Sequence, residues 1–224
     1  MPTYLYGLIL SDSAARAPRG VRGIGDSVVR VVPGRVLSAI VGTVDAAPDH
    51  ATLELVKAHD AVLQAVVHAG LTTAAARFRQ TFVDDDDARR HIDEHGDRIA
   101  RVLEDYAGCV EMRVLVRDTD PLAAGVAEES AARGGGAGPG QAYLEQLRAQ
   151  HARVTHLALA PMLGPVVQAE RVSMLPDDRG VVFAHLVERD RVSEYRDAIA
   201  GYPALADAAV VGPLAFYSFA EPEP

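Results

Sequence analysis

The chain has 224 residues and a mass of 23.8 kDa, enough to bury roughly 70% of the surface of the unfolded form, so it needs neither disulfides nor a structural metal to fold. Its net charge of -9 argues against nucleic acid as a partner, because binding to a phosphate backbone requires a basic face. Its apolar runs fall short of the ~20 residues that span a bilayer and no signal-peptide pattern opens it, so we expect a cytoplasmic protein without a membrane span.

The first half begins with three predicted strands. Residues 3–10 are apolar on both alternating faces, as in a central buried strand, and residues 27–32 and 36–44 are further β-branched runs. Pro33 and Gly34 mark the turn between the last two.

Residues 51–68 change to the helical period and predict a helix that ends at Gly70. Its apolar stripe consists of Leu55, Val56, His59, Val62, Leu63, Val66 and Val67.

After a short run at residues 72–82, four aspartates at residues 84–87 open a second predicted helix that extends to about Leu103. Carboxylates at a helix N-terminus meet its unpaired N–H groups, so we interpret these aspartates as a cap and not as a metal site. The predicted apolar stripe of this helix consists of Ala88, Ile92, Ile99, Val102 and Leu103.

Residues 110–116 alternate as a strand that we expect to close the first unit, with Glu111 and Arg113 facing outward. The single cysteine, Cys109, precedes this strand, and we interpret it as a small buried hydrophobe.

Residues 119–140 are predicted to form a flexible linker, because this Gly-rich composition cannot bury enough apolar surface to order itself. The Gly cluster lacks the Gly-Lys-Ser/Thr ending of a phosphate-binding loop. We therefore predict two domains, residues 1–118 and 141–224.

The second domain is predicted to start with a long helix at about 141–159. Strands at 168–174 and 180–187 follow, joined by a hairpin turn at 176–180, then a helix at about 190–200 and a strand at 208–219. This order is compatible with a reduced ferredoxin-like unit. The predicted fold class is α+β, with a mixed sheet and two helices in the N-terminal domain and a ferredoxin-like unit with a long leading helix in the C-terminal domain.

Candidate metal ligands are few. His91 and His95 have the spacing that presents two imidazoles to one metal ion, but Ile92 stands where a zinc protease would have glutamate. His95 lies on the predicted apolar stripe, so we expect it to be semi-buried. His151 and His156 are rotated by about 140° around their predicted helix, which disfavours joint coordination.

No nucleophile motif or dinucleotide-binding motif is found. We therefore predict no catalytic residues, no metal and no cofactor. Two alternatives remain open. One is a ferredoxin-like module that binds a small molecule or performs cofactor-independent chemistry in a closed pocket lined by His59 or Arg77. The other is a metal-binding regulator that acts through His91 and His95.

Several short blocks resemble the gas vesicle protein F/L family, in the same order along the chain. They are residues 4–7 (Tyr-Leu-Tyr-Gly), Val31-Val32 with residues 37–41, the helix with His59 and Val62, Arg77-Phe78 with Phe82, Gly108 with residues 110–114, residues 140–144, and Gly212-Pro213 with Tyr217-Ser218-Phe219. The chain departs from the family pattern at Ala75 and Arg79, where proline and glycine are usual, and at residues 214–216.

The resemblance implies a two-domain α+β accessory protein in gas vesicle formation, located in the cytoplasm and at the gas vesicle, and not an enzyme. It implies binding to the small hydrophobic shell protein and to other accessory proteins, and a place as a minor shell-associated component. The aromatic candidates for such partner contacts are Tyr143, Phe216, Tyr217 and Phe219, with core packing as the alternative role for each.

Overall fold

The computed structural model describes residues 1–46, 50–117, 159–175 and 180–220. These residues form a mixed α+β protein with two sheets, and their contacts divide the chain into two compact units. Met1–Glu111 and Pro213–Pro224 belong to the first unit, and Met112–Gly212 to the second. Among the described residues, no helix combines the length and the apolarity required to cross a membrane.

The first unit contains a five-stranded sheet in the order β2-β3-β1-β4, with β5 also paired to β1. Its strands are β1 (Thr3–Leu10), β2 (Arg30–Pro33), β3 (Leu37–Thr43), β4 (Ala74–Ala75) and β5 (Thr81–Phe82). All these pairs are antiparallel. The predicted first strand is confirmed, and all of its residues except Leu10 are buried, as the apolar pattern on both faces indicates.

Gly7 allows the sheet and the first helix to approach closely. The register between β1 and β3 shifts between Leu5 and Gly7. A Cβ atom on Gly7 would lie 2.7 Å from the Ala74 carbonyl oxygen and 2.7 Å from a Leu63 methyl group. Only glycine therefore fits at this position without a local shift.

Helix α1 (Leu53–His68) covers this sheet. The Thr52 hydroxyl caps it by accepting a hydrogen bond from the Leu55 N–H, and Gly70 follows it with a φ of +82°, as expected at a helix end. Its buried residues are His59, Val62, Leu63, Val66 and Val67. Val56, which we placed on the buried stripe, is 41% exposed.

The predicted second helix is two helices, α2 (Asp85–His95) and α3 (Asp97–Asp105), and its continuous form is wrong. Gly96 lies between them and packs so closely that a Cβ atom would be 2.7 Å from Leu37 Cδ1. The aspartate cap is confirmed, because Asp84 accepts a hydrogen bond from the Asp87 N–H at 2.8 Å. Asp85 makes a different contact, a two-point ion pair with Arg30 on β2.

A second sheet has four strands in the order β7-β8-β6-β9, and most of its residues belong to the second unit. The elements of this sheet and unit are β6 (Cys109–Arg117), α4 (Ala160–Leu163), β7 (Val167–Met174), β8 (Gly180–Glu188), α5 (Val192–Ala200) and β9 (Ala209–Leu214). Strand β6, which we expected to close the first unit, lies between β8 and β9. Cys109 at its start is buried, as predicted.

Two predictions near the ends of these strands are wrong. Glu111, expected to face solvent, has no exposed surface, because its carboxylate accepts hydrogen bonds from the Ser218 N–H and hydroxyl at 2.8 and 2.9 Å. The last strand ends at Leu214 and not at Phe219, because residues 215–220 pack into the first unit.

Several predictions fall outside the described residues. They concern the linker at 119–140, the helix at 141–159 except for Leu159, the turn at 176–179, and Tyr143, His151 and His156. The domain limits at residues 118 and 141 also remain predictions.

Candidate functional site

A groove of about 590 Å³ lies in the first unit, beside the segment that joins β4 to β5 and helices α2 and α3. It is open to solvent. Its apolar lining includes Leu5, Leu8, Phe78, Ile92 and Ile99. Its cationic or titratable lining residues are Arg77, Arg79, His91, His95 and Arg98, all of them exposed. The described lining contains no aspartate or glutamate.

The small-molecule alternative requires a closed pocket lined by His59 or Arg77, and this groove meets that condition only in part. It is lined by Arg77, but it is not closed, and His59 does not reach it. Ligand sites for small molecules usually enclose most of the ligand surface. An open groove is the shape expected for contact with another polypeptide.

His91 and His95 lie side by side at the rim, with ring centroids 4.8 Å apart. The prediction that His95 is semi-buried is wrong, since 64% of its side chain is exposed. Gly96, four residues after buried Ile92, takes the inward position of this turn instead. Within the described residues, no set of three or more His, Cys, Asp or Glu side chains is placed to hold a metal ion.

Behind the groove, four rings form a cluster: Tyr4, Tyr6, His59 and Phe78. His59 lies 5.5 Å from Tyr6, 5.7 Å from Tyr4 and 5.7 Å from Phe78, measured between ring centroids. The Tyr4 hydroxyl is 3.0 Å from His59 Nδ1 and accepts a hydrogen bond from the Arg79 N–H at 3.1 Å. Phe78 belongs both to this cluster and to the groove wall.

The hydrogen bonds assign a protonation state to His59. The Tyr4 hydroxyl hydrogen needs an acceptor, and Nδ1 is within reach, so we assign the proton of the neutral ring to Nε2. Nε2 is buried without a hydrogen-bond partner among the described residues. Burial lowers the pKa of His59 to about 4, against a smaller opposing effect of the Asp60 charge, and burial raises the pKa of Tyr4 to about 12.

Both rings are therefore neutral near pH 7. The hydrogen bond from Arg79 to Tyr4 fixes the backbone of the groove wall, and Arg79 itself has a φ of +75°. That conformation is unusual for a residue with a side chain, and the cluster helps to hold it. The cluster is a support for the groove and not a source of charge.

The predicted aromatic contact residues near the C-terminus pack into the first unit. Phe216 and Phe219 are 0% and 5% exposed, with ring centroids 6.4 Å apart. The Phe216 N–H donates to the Thr73 carbonyl oxygen at 2.7 Å. Tyr217 is half-buried and its hydroxyl donates to Asp60 Oδ1 at 2.8 Å. Of these three aromatic residues, only Tyr217 presents an appreciable part of its surface to solvent.

The second unit contains a buried polar chain that the sequence analysis missed. His185 lies on β8 with no exposed surface, 2.6 Å from the Tyr195 hydroxyl through Nδ1 and 2.7 Å from Glu170 Oε2 through Nε2. The same Glu170 oxygen accepts hydrogen bonds from the N–H groups of Leu159 and Ala160. A histidine inside the apolar run at 181–187 was the available signal, because a buried imidazole needs polar partners.

The protonation states in this series of hydrogen bonds follow from burial and from the partner of each group. Burial lowers the pKa of His185, and the hydrogen bond and charge of Glu170 partly oppose that effect. Burial also raises the pKa of Tyr195. Neutral Tyr195 donates to Nδ1, and Nε2–H donates to Glu170, so each polar group has a partner. These hydrogen bonds connect β7, β8 and α5 to the start of α4, so their role is structural.

Comparison with known proteins identifies the family. A family model described as gas vesicle synthesis protein GvpL/GvpF matches residues 2–221. The chain belongs to this family. Gas vesicle protein L of Streptomyces sp. (strain CB03234) is 31% identical, with 91% of this chain and 87% of that protein covered. The GvpL/GvpF resemblance inferred from the short blocks is thus confirmed.

Two solved structures of gas vesicle protein GvpF have the same fold. The protein from Anabaena sp. PCC7120 has a TM-score of 0.69 at 15% identity, and the match covers 100% of this chain and 97% of that protein. The protein from Microcystis aeruginosa has a TM-score of 0.69 at 17% identity, with 98% and 99% covered. The similarity confirms the mixed α+β fold.

Blocks that carry the GvpL/GvpF resemblance meet in the first unit. Tyr4 from the opening block contacts His59 of α1 and Phe78 of the Arg-Phe block. Tyr217 of the closing block reaches Asp60, also on α1. These separate sequence blocks therefore belong to one structural region, the ring cluster and the helix beside it.

Proposed function

We propose that this protein is an accessory protein in gas vesicle assembly that binds the small hydrophobic shell protein and other accessory proteins. The match to the GvpL/GvpF family over residues 2–221 is the observation that carries the proposal. We place the protein in the cytoplasm and at the gas vesicle, including a role as a minor shell-associated component. The family is one of gas vesicle proteins and not a known family of enzymes, and we propose that this chain has no catalytic role.

Features of the first unit support a role in protein binding. The open groove offers an apolar floor beside exposed arginines, and such a mixture suits a polypeptide partner. Tyr217 adds a half-buried aromatic side chain elsewhere on this unit, and we propose it, with Tyr143, as a partner contact. Phe216 and Phe219 would act indirectly, by holding the segment that carries Tyr217.

We also propose that the second unit is ferredoxin-like. Read across the sheet from the β9 edge, the order is β9-β6-β8-β7, which are the fourth, first, third and second of these strands along the chain. Helix α4 precedes β7, and α5 connects β8 to β9. With β6 as its first strand, this order supports a βαββαβ arrangement, whereas the sequence predicted a reduced unit without that strand. The proposed linker at residues 119–140 follows β6 along the chain.

Affinity purification from cells that express a gas vesicle gene cluster tests the function. A tagged copy of this chain should co-purify the shell protein, and a tagged acidic protein of similar size should not. Omission of the chain from the cluster should reduce the yield of vesicles. Failure to recover any vesicle component, together with an unchanged vesicle yield, would refute the proposal.

A further inference from the structure

We infer that the groove of the first unit binds a peptide segment of a partner protein that carries both carboxylates and apolar side chains. The inference rests on the proposed function, because it takes the partner to be a protein. It adds the place of binding and the chemistry of the bound segment.

The charge of the groove is opposite to that of the whole chain. The chain has a net charge of -9, yet the described groove lining has three arginines, two histidines and no carboxylate. Asp97, which precedes Arg98 on α3, has a cation of its own nearby, because it lies 3.7 Å from Arg35. A segment with carboxylates would therefore find a local positive surface on an acidic protein.

Arginine suits carboxylate recognition better than a point charge does. Its planar guanidinium donates hydrogen bonds in a fork that matches the two carboxylate oxygens. Arg77 and Arg79 project from the segment between β4 and β5, and Arg98 projects from α3, where it also donates to the Ala220 carbonyl oxygen at 2.8 Å. The arginines come from two separate elements that line the groove, so a bound segment would meet cations from both.

The floor requires apolar groups in the same ligand. Phe78 and Ile99 are partly exposed in the groove, with buried Leu5 and Ile92 among the lining residues. Burial of apolar surface there stabilises a complex and offsets part of the cost of association. A small inorganic anion would leave this surface wet, whereas a peptide with apolar side chains would cover it.

The groove wall is already held in place. The hydrogen bond from the Arg79 N–H to the Tyr4 hydroxyl fixes the segment that carries Arg77 and Arg79. The Leu5 N–H also donates to the Gln80 carbonyl oxygen at 2.9 Å. Binding to a wall that is ordered beforehand loses less conformational entropy.

Fluorescence anisotropy with the full chain tests the inference. The probe is a short labelled peptide of alternating glutamate and leucine, compared with peptides in which glutamine replaces glutamate or serine replaces leucine. We expect the glutamate-leucine peptide to bind, and both altered peptides to bind at least about tenfold more weakly. Arg77→Glu should weaken binding of the glutamate-leucine peptide by about tenfold or more, because a repulsive charge replaces an attractive one.

Arg19→Glu is the matched control, because Arg19 is an exposed arginine of the first unit that does not line the groove. It changes the net charge equally and should leave the affinity within about twofold. Absence of peptide binding, equal affinity for the glutamate and glutamine peptides, or equal losses in the two variants would overturn the inference. Inorganic phosphate that competes as well as the peptide would show a general anion site and would also overturn it.

The two proposals fail in different ways. If the peptide does not bind while vesicle proteins still co-purify, then the partner uses another surface and only the groove assignment is lost. If the peptide binds but no vesicle protein co-purifies, then the groove is real and the proposed function is wrong.

Discussion

Acid should destabilise the first unit through one buried histidine, His59. The unfolded chain binds a proton on this ring below its ordinary pKa of 6.5, whereas the folded chain does so only near pH 4. The free energy of unfolding should therefore fall as the pH drops from about 6.5 to about 4, and the contribution of neutral His59 is fully present above that range. Each unit by which the pKa falls is worth ~1.4 kcal/mol, so the total loss is about 3 kcal/mol.

His59→Gln separates this effect from other titrations. Glutamine does not titrate, and its side-chain oxygen can accept the hydrogen bond from the Tyr4 hydroxyl, which is 3.0 Å from Nδ1 in the native protein. Urea unfolding followed by circular dichroism, at several values from about pH 7 to about pH 4, measures the stability of both proteins. Carboxylates and His185 titrate in both, so their contributions cancel in the difference.

The native protein should lose about 3 kcal/mol more than His59→Gln over this range. An NMR titration of the His59 ring, assigned by its absence from the variant, should give a pKa well below 6.5. Parallel stability curves for the two proteins, or an ordinary pKa for the ring, would refute the reasoning from burial.

Three further substitutions test other contacts. Glu111→Gln should lower the free energy of unfolding by ~1–3 kcal/mol, because an amide cannot accept both hydrogen bonds from Ser218; urea unfolding measures it. Gly96→Ala should destabilise by ~1–3 kcal/mol, since the added methyl group would meet backbone 2.3 Å away, although helix propensity alone favours alanine; the thermal midpoint measures it. Asp85→Asn should cost about 1 kcal/mol by removing the half-exposed ion pair with Arg30. The Arg30 hydrogen bond lowers the pKa of Asp85, so stability from this pair should be lost as the pH falls below about 4.

Each of these substitutions has a matched control in the chain. Glu104→Gln and Asp86→Asn alter exposed carboxyl groups without those partners, and Gly201→Ala places a methyl group no closer than 3.4 Å to its neighbours. All three controls should change stability by less than about 0.5 kcal/mol. If a control variant lost as much stability as its test variant, the assigned contact would contribute nothing.

The apolar pattern predicted the elements whose burial follows a regular order along the sequence. The apolar run at residues 3–10 became β1 without a change of limits, and the stripe with Val62, Leu63, Val66 and Val67 became the buried face of α1. Such patterns report burial directly, because the side chains on one face share one environment. Gly70 and Asp84 were predictable as helix ends for the same local reason.

Partners distant in sequence were not predictable. Alternation in β6 correctly placed Val110 and Met112 inside, but it assigned Glu111 to solvent. Its hydrogen-bond partner Ser218 is 107 residues away, and no nearby residue indicates that contact. The groove also escaped prediction, since Arg77 and Arg98 lie on separate elements. His95 was misplaced because Gly96, four residues after Ile92, takes the next buried position and packs against Leu37.

The return of Pro213–Pro224 to the first unit affects how the protein can be made on a ribosome. Residues 1–111 emerge early, yet the interior space filled by Phe216 stays open until residues 213–220 have been synthesised. An N-terminal region usually folds during translation before later regions appear. Here the region synthesised first can complete its folding only after the region synthesised last. Premature termination after residue 212 should therefore yield an aggregation-prone, protease-sensitive product, even though most of the first unit is present.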